Sequence, residues 1–199
     1  MTSTPSGTNL RGLLRDGAHR EAIASFLNGL APAARVAETL TLHGKEVRSF
    51  YEVLAGGTTP TLEDIVPAAL GEDKTVIFHG RNSLFAFTSF QKRFARMGTE
   101  IVGYNHQTMA FVTGPGLFVV KEPHAGADIE SELYFDYTAV PRTLPTGFPA
   151  FKANDSGLSS LVYAHMKDYM RVAAAGVMVG TAYKKGKAEN AFFILAREV

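Results

Sequence analysis

Residues 177–197 read VMVGTAYKKGKAENAFFILAR. Two β-rich runs flank a Lys185-Gly186-Lys187 turn, which is the pattern of a hairpin. The second run, AFFILA at 191–196, contains no polar side chain. A strand apolar throughout has to be covered on both faces, so it belongs in the middle of a layered structure.

Upstream of this hairpin the β signal continues. In residues 132–138, Leu133, Phe135 and Tyr137 alternate with Tyr134, Asp136 and Thr138, giving a strand with aromatics on both faces. Residues 101–104, 109–112 and 117–120 are further short β-rich runs. Thr113-Gly114-Pro115-Gly116 places Pro and Gly as a type II turn prefers, which predicts a hairpin there with Gly116 at positive φ. Residues 75–79, with Val76, Ile77 and Phe78 consecutive between Asp73 and Gly80, predict another buried strand.

The remaining segments read as helix or loop. From Asp16 as N-cap, Ile23, Phe26, Leu27 and Leu30 recur at helical spacing. Pro32 opens a second helix with Val36 and Leu40 on its stripe, and Val47, Phe50, Tyr51 and Leu54 predict a third, stopped at Gly56-Gly57. Leu84, Phe87, Phe90 and Phe94 share one side of a helical wheel, which predicts a helix over 83–96 whose last turns carry Lys92, Arg93 and Arg96. Leu158, Leu161, Val162, His165, Met166, Tyr169, Val172 and Ala173 predict another, capped by Asn154, Asp155 or Ser156. Between them, residues 141–156 hold Pro141, Pro145, Gly147 and Pro149 and form an extended strap on which Phe148 and Phe151 can pack over something apolar.

The expected fold is therefore α+β. N-terminal helices precede a curved, mostly antiparallel sheet, cone-like or an incomplete barrel, enclosing an apolar cavity, with two further helices. Residues 1–9 are expected as a disordered tail and 10–199 as a single domain, with a helical part at 10–56 and a sheet-rich part at 74–199. In element order the chain resembles either the cone-shaped domains of the nuclear-transport-factor type or a lipocalin-like barrel with an N-terminal helical extension. Both architectures serve catalysts and passive binders.

Composition narrows the chemistry. The 199 residues are 46% hydrophobic and 20% charged with a formal net charge of +1, so no basic footprint for nucleic acid or an anionic membrane is visible. With no cysteine, the chain has no disulfide framework, thiolate nucleophile or Cys-ligated metal. There is no apolar leader and no run long enough to span a bilayer, and cytoplasm is the default compartment. P-loop, dinucleotide, nucleophile-elbow, HExxH and EF-hand signatures are absent, so no cofactor is expected. Of the six histidines, at 19, 43, 79, 106, 124 and 165, no two stand at i,i+2 or i,i+4, so no metal site is expected either. A homodimer is compatible with this composition.

The candidate site residues follow from polar groups set among apolar ones. His165 and Tyr169 are one helical turn apart on the predicted stripe, an imidazole beside a phenol, and Asp136 would be a carboxylate of raised pKa if its face points inward. These three are the candidate catalytic set. Candidate ligand contacts are His79 and Arg81 at a strand end, Tyr104 and His106 in a dense polar run, Tyr134, and the strap residues Phe148 and Phe151. The structural alternative for each is ordinary: a satisfied buried histidine, a wet carboxylate, a helix cap, a turn, core aromatics. The functional expectation is a cofactor-independent acid/base enzyme of isomerase, dehydratase or cyclase type acting on a small apolar molecule. The alternative is a carrier of an apolar ligand, lipid or pigment, and a third reading is an interaction module whose aromatics are only core.

Overall fold

A computed structural model describes residues 8–84, 88–106, 116–150 and 164–199. Eight antiparallel strands close into a barrel in which every strand pairs with its sequence neighbour: β1 (Val76–Asn82), β2 (Ser89–Met97), β3 (Glu100–His106), β4 (Leu117–Lys121), β5 (Leu133–Asp136), β6 (Met166–Ala174), β7 (Val177–Lys184) and β8 (Lys187–Ala196). Closure comes from β1 on β8, with Gly80 opposite Leu195 and Arg81 opposite Ile194. A closed meander leaves no unpaired edge. The sheet is thus more complete than the expected incomplete barrel, and the open cone is not the architecture.

The N-terminal part is helical as expected, with one more helix. α1 (Leu10–Arg15) is capped by the Asn9 side chain, which accepts from the Gly12 N–H, so Asp16 ends this helix and does not begin the next. α2 (Arg20–Asn28), α3 (Pro32–Thr39) and α4 (Lys45–Val53) follow. Leu10, Ile23, Leu27, Val47 and Phe50 bury their stripes against Val177, Val179, Ile194 and Ala196 on the outer wall of β7 and β8. This explains why AFFILA carries no polar residue. Phe193 and Leu195 face the barrel interior, while Ile194 and Ala196 meet the helices.

Two predicted helices are strands. Residues 89–97 form β2, with Phe90, Lys92 and Phe94 turned inward. Residues 166–174 form β6, with Asp168 and Met170 inward and Tyr169 packed outside. The mistake has one physical cause: residues four apart share a face both on a helix and on a strand, so Phe90 and Phe94 fit either period. What decides is the residue midway between them, and it is charged in both strands. The predicted strand at 109–112, Pro115 of the predicted hairpin, Phe151 and residues 154–163 lie outside the described residues; Gly116 does have positive φ, 54°.

Around Phe94 the interior is packed with rings. Phe94 lies edge-on to Phe78, Phe118 and Phe135 at 5.2 to 5.5 Å between centroids, and Phe118 stacks on Phe135 at 5.1 Å. Room for them comes from glycine. Gly103 sits between Phe94 and Phe118 in the strand register, and a Cβ on it would stand 2.3 Å from the Phe118 ring. Alternation of small and large inward residues is how a narrow barrel packs its lumen.

Candidate functional site

One end of the barrel is plugged. α5 (Leu62–Ile65), held by a capping box between Thr61 and Asp64, lays Leu62, Ile65 and Val66 against the interior cluster. Arg96 ties this plug down: its Nη2 donates to Glu63 Oε1 at 2.9 Å and to the Val66 carbonyl at 2.5 Å. Arg197 lies 5.2 Å over the Phe78 ring at the same end.

The other end holds the chemistry. Lys92 is the fourth residue of β2, Asp168 the third of β6, Asn105 the last but one of β3, and Tyr137 follows directly on β5. The meander brings all four to one level of the barrel, near the end from which the β1–β2, β3–β4 and β5–β6 connections leave. β2 and β6 are four strands apart whichever way round the eight-stranded barrel they are counted, so Lys92 and Asp168 rise from opposite walls. Their side chains meet across the lumen: Lys92 Nζ donates to Asp168 Oδ2 at 2.9 Å, to Asn105 Oδ1 at 2.7 Å and to the Tyr137 hydroxyl at 2.5 Å. An ammonium has three protons, and this one has three acceptors. Tyr137 in turn donates to Asp168 Oδ2 at 3.0 Å and accepts from Asn105 Nδ2 at 3.0 Å.

The walls around this cluster are aromatic. Lys92 Nζ is 4.9 Å from the Phe118 centroid, 5.2 Å from those of Tyr137 and Phe193, 5.6 Å from Phe135 and 5.8 Å from Phe90. Ring faces attract a cation, which offsets part of what removal from water costs it. The offset is incomplete. Lys92 is 3% exposed, and burial pushes its pKa below the ordinary lysine range although Asp168 acts to hold it up. Such an ion pair is an inefficient way to stabilise a core, because apolar residues of similar volume do as well or better. A lysine, a carboxylate, a phenol and an amide facing one another among rings can hold an oxygen atom of a ligand and pass a proton to or from it.

The residues expected from sequence lie elsewhere. His165 is exposed in the turn before β6, with φ 58° and its carbonyl accepting from the Lys185 N–H. It is therefore not on an apolar helical stripe. Asp136 faces outward on β5 and accepts from the Thr138 N–H and hydroxyl. Tyr169 is fully buried, but on the outer wall, where its hydroxyl donates to Asp128 Oδ2 at 3.0 Å and burial pushes its pKa up. Tyr134 stands opposite Tyr169 in the register with rings 5.0 Å apart, and its hydroxyl is 2.8 Å from His124 Nε2. His124 Nδ1 faces the Ala125 carbonyl at 2.8 Å and donates to it, which turns Nε2 toward the Tyr134 hydroxyl.

Among the described residues no hydrogen bond or ion pair joins His165 to Asp136 or Tyr169. His79 is exposed on the outer face of β1, and Arg81, also outward, donates to Ser89 Oγ at 3.2 Å. Tyr104 packs outside β3 under Phe148 of the strap at 4.7 Å, and His106 is exposed at the strand end. Leu144 and Phe148 of the strap do cover an apolar surface, but it is the outer wall.

Sequence reasoning missed Lys92, Asp168, Tyr137 and Asn105 as a group. A signal existed: FQKRF and MKDYM each carry two apolar residues at positions one and five with a charge midway, opposite in sign between the two strands. Outside the barrel, Glu132 binds Arg171 at 2.7 Å and Tyr51 at 3.1 Å, and the Arg171 guanidinium lies 3.8 Å over the Tyr51 ring, so α4 is fastened to β6. No group of three or more metal-binding side chains comes together among the described residues, and no helix is long and apolar enough to cross a membrane. No family model, curated protein or solved structure matches the chain.

Proposed function

We propose that the barrel takes a small, largely apolar molecule bearing an oxygen atom, and that Lys92, Asp168 and Tyr137 carry out acid–base chemistry on it without a cofactor, of the isomerase, dehydratase or cyclase kind. The observation that carries this reading is the lysine–carboxylate pair spanning an otherwise aromatic lumen, 2.9 Å apart and satisfied on every ammonium proton. Lys92 and Asp168 differ in basicity and share Tyr137, so a proton can move among them to a ligand oxygen or from an adjacent carbon. Phenylalanine rings supply the dry surroundings in which such contacts are strong.

Carriage without turnover uses the same walls and is favoured by the rings alone. Incubation with small cyclic ketones and enones in heavy water, followed by NMR, separates the two. Exchange of protons beside the carbonyl in the native protein, lost in Lys92→Met and Asp168→Asn, is the expected result. Saturable binding without exchange turns the reading to carriage, and neither binding nor exchange overturns it.

A further inference from the structure

Resting on the reading just given, we infer that Lys92 is a covalent site: its amine condenses with the carbonyl carbon of an aldehyde or ketone held among the rings, forming an imine. The charge balance of the site points to this ligand class. Lys92 and Asp168 already neutralise one another within the lumen, so the pair does not call for an anion, and a neutral carbonyl compound fits where a carboxylate or phosphate would leave a buried negative charge in excess. The three neighbours suit the steps. Asp168 Oδ2, 2.9 Å from Nζ, is placed to take a proton from the nitrogen, and the Tyr137 hydroxyl, 2.5 Å from Nζ, is placed to donate to an oxygen attached to the atom that Nζ attacks. Asn105 Oδ1, at 2.7 Å, keeps the nitrogen aimed while the other two exchange protons.

The chemistry balances without any further reactant. The ammonium first gives a proton to Asp168, so that amine and carboxylic acid are both neutral. The amine lone pair then forms the C–N bond as the carbonyl π pair moves to oxygen; oxygen takes a proton from Tyr137, which is refilled from Asp168, and the nitrogen returns a proton to the Asp168 carboxylate. The carbinolamine loses its C–O bond, the oxygen leaving as water with the Asp168 proton delivered through Tyr137, and the nitrogen lone pair closes the C=N bond as an iminium beside the Asp168 carboxylate. Ammonium plus carbonyl compound gives iminium plus water, and the lumen stays neutral throughout. Burial supports the first step, since it lowers the basicity of Lys92 and so enlarges its neutral fraction near pH 7.

The test is reductive trapping. The native protein is incubated with trans-cinnamaldehyde and sodium cyanoborohydride near neutral pH, and the adduct is located by peptide mass spectrometry. Asp168 and Tyr137 stand beside Nζ to move the protons that condensation requires, so Lys92 is expected to label in preference to any surface lysine. One adduct at Lys92, absent in Lys92→Arg while the surface labelling is unchanged, is the expected result. Labelling spread over surface lysines with Lys92 unmodified overturns the inference. Native mass spectrometry with cinnamyl alcohol, which cannot condense, runs in parallel. If the alcohol binds and Tyr137→Phe weakens it while no adduct forms, the imine falls and the binding barrel stands; if neither compound engages the lumen, both fall.

Discussion

Removing one partner of the Lys92–Asp168 pair should destabilise the protein far more than removing both. Each side chain is almost completely enclosed, 3% and 6% exposed, so Lys92→Met leaves the Asp168 carboxylate among phenylalanine rings with Tyr137 as a hydrogen-bond donor but without its counter-charge. Breaking a buried pair in this way costs about 3 to 5 kcal/mol. For a chain of this length each kcal/mol moves the midpoint by roughly 2 to 4 °C, so the fall in Tm is about 6 to 20 °C. The double variant Lys92→Met/Asp168→Val removes both charges with side chains that keep the lumen filled, and it should return to native stability or exceed it by about 1 to 4 kcal/mol. Urea unfolding followed by far-UV circular dichroism gives all three values, with Asp168→Val as the fourth corner of the cycle. The reasoning is refuted if Lys92→Met costs less than about 1 kcal/mol, the range of an exposed ion pair, or if the double variant is no more stable than either single one.

The lysine also sets a pH dependence. Its folded pKa is depressed, so the unfolded chain binds more protons between that value and the ordinary lysine pKa of about 10.4, and stability should rise with pH across this window. Tyr51, Tyr134 and Tyr169 have raised pKa values and pull the other way once the unfolded tyrosines ionise near pH 10, so the rise is read below about pH 9.5. Denaturation midpoints of native and Lys92→Met protein over that range should diverge, with the variant lacking the upward slope. Glu132→Gln should cost about 1.5 to 3 kcal/mol, because the Arg171 contact at 2.7 Å loses its charge; hydrogen exchange should show α4 opening first. Gly103→Ala puts a methyl where the Phe118 ring lies and should cost about 1 to 3 kcal/mol in thermal unfolding, whereas no loss would mean the rings are free to move aside.

Local sequence settled a good part of the architecture. β7 has the bounds read from its β-rich run, Leu133, Phe135 and Tyr137 share one face as their alternation requires, and the apolar stripes of 10–56 are helices packed on the sheet. These segments obey a single period, and apart from Arg35 and Thr39 of α3 their buried faces are apolar, so neighbouring residues carry most of the information needed. β2 and β6 break that condition. Lys92 and Asp168 occupy inward positions that an isolated strand could not bury, and with them counted as polar the runs lose their alternation and fit a helix. Their burial is tolerated only because barrel closure brings opposite walls together, 76 residues apart in sequence, and supplies each charge with the other. Pairing at that separation leaves no mark on either segment's own period. The same closure turns Asp136, Tyr169 and Tyr134 outward by fixing the register of β5 on β6, which an alternation can divide into two faces but cannot label as inner and outer.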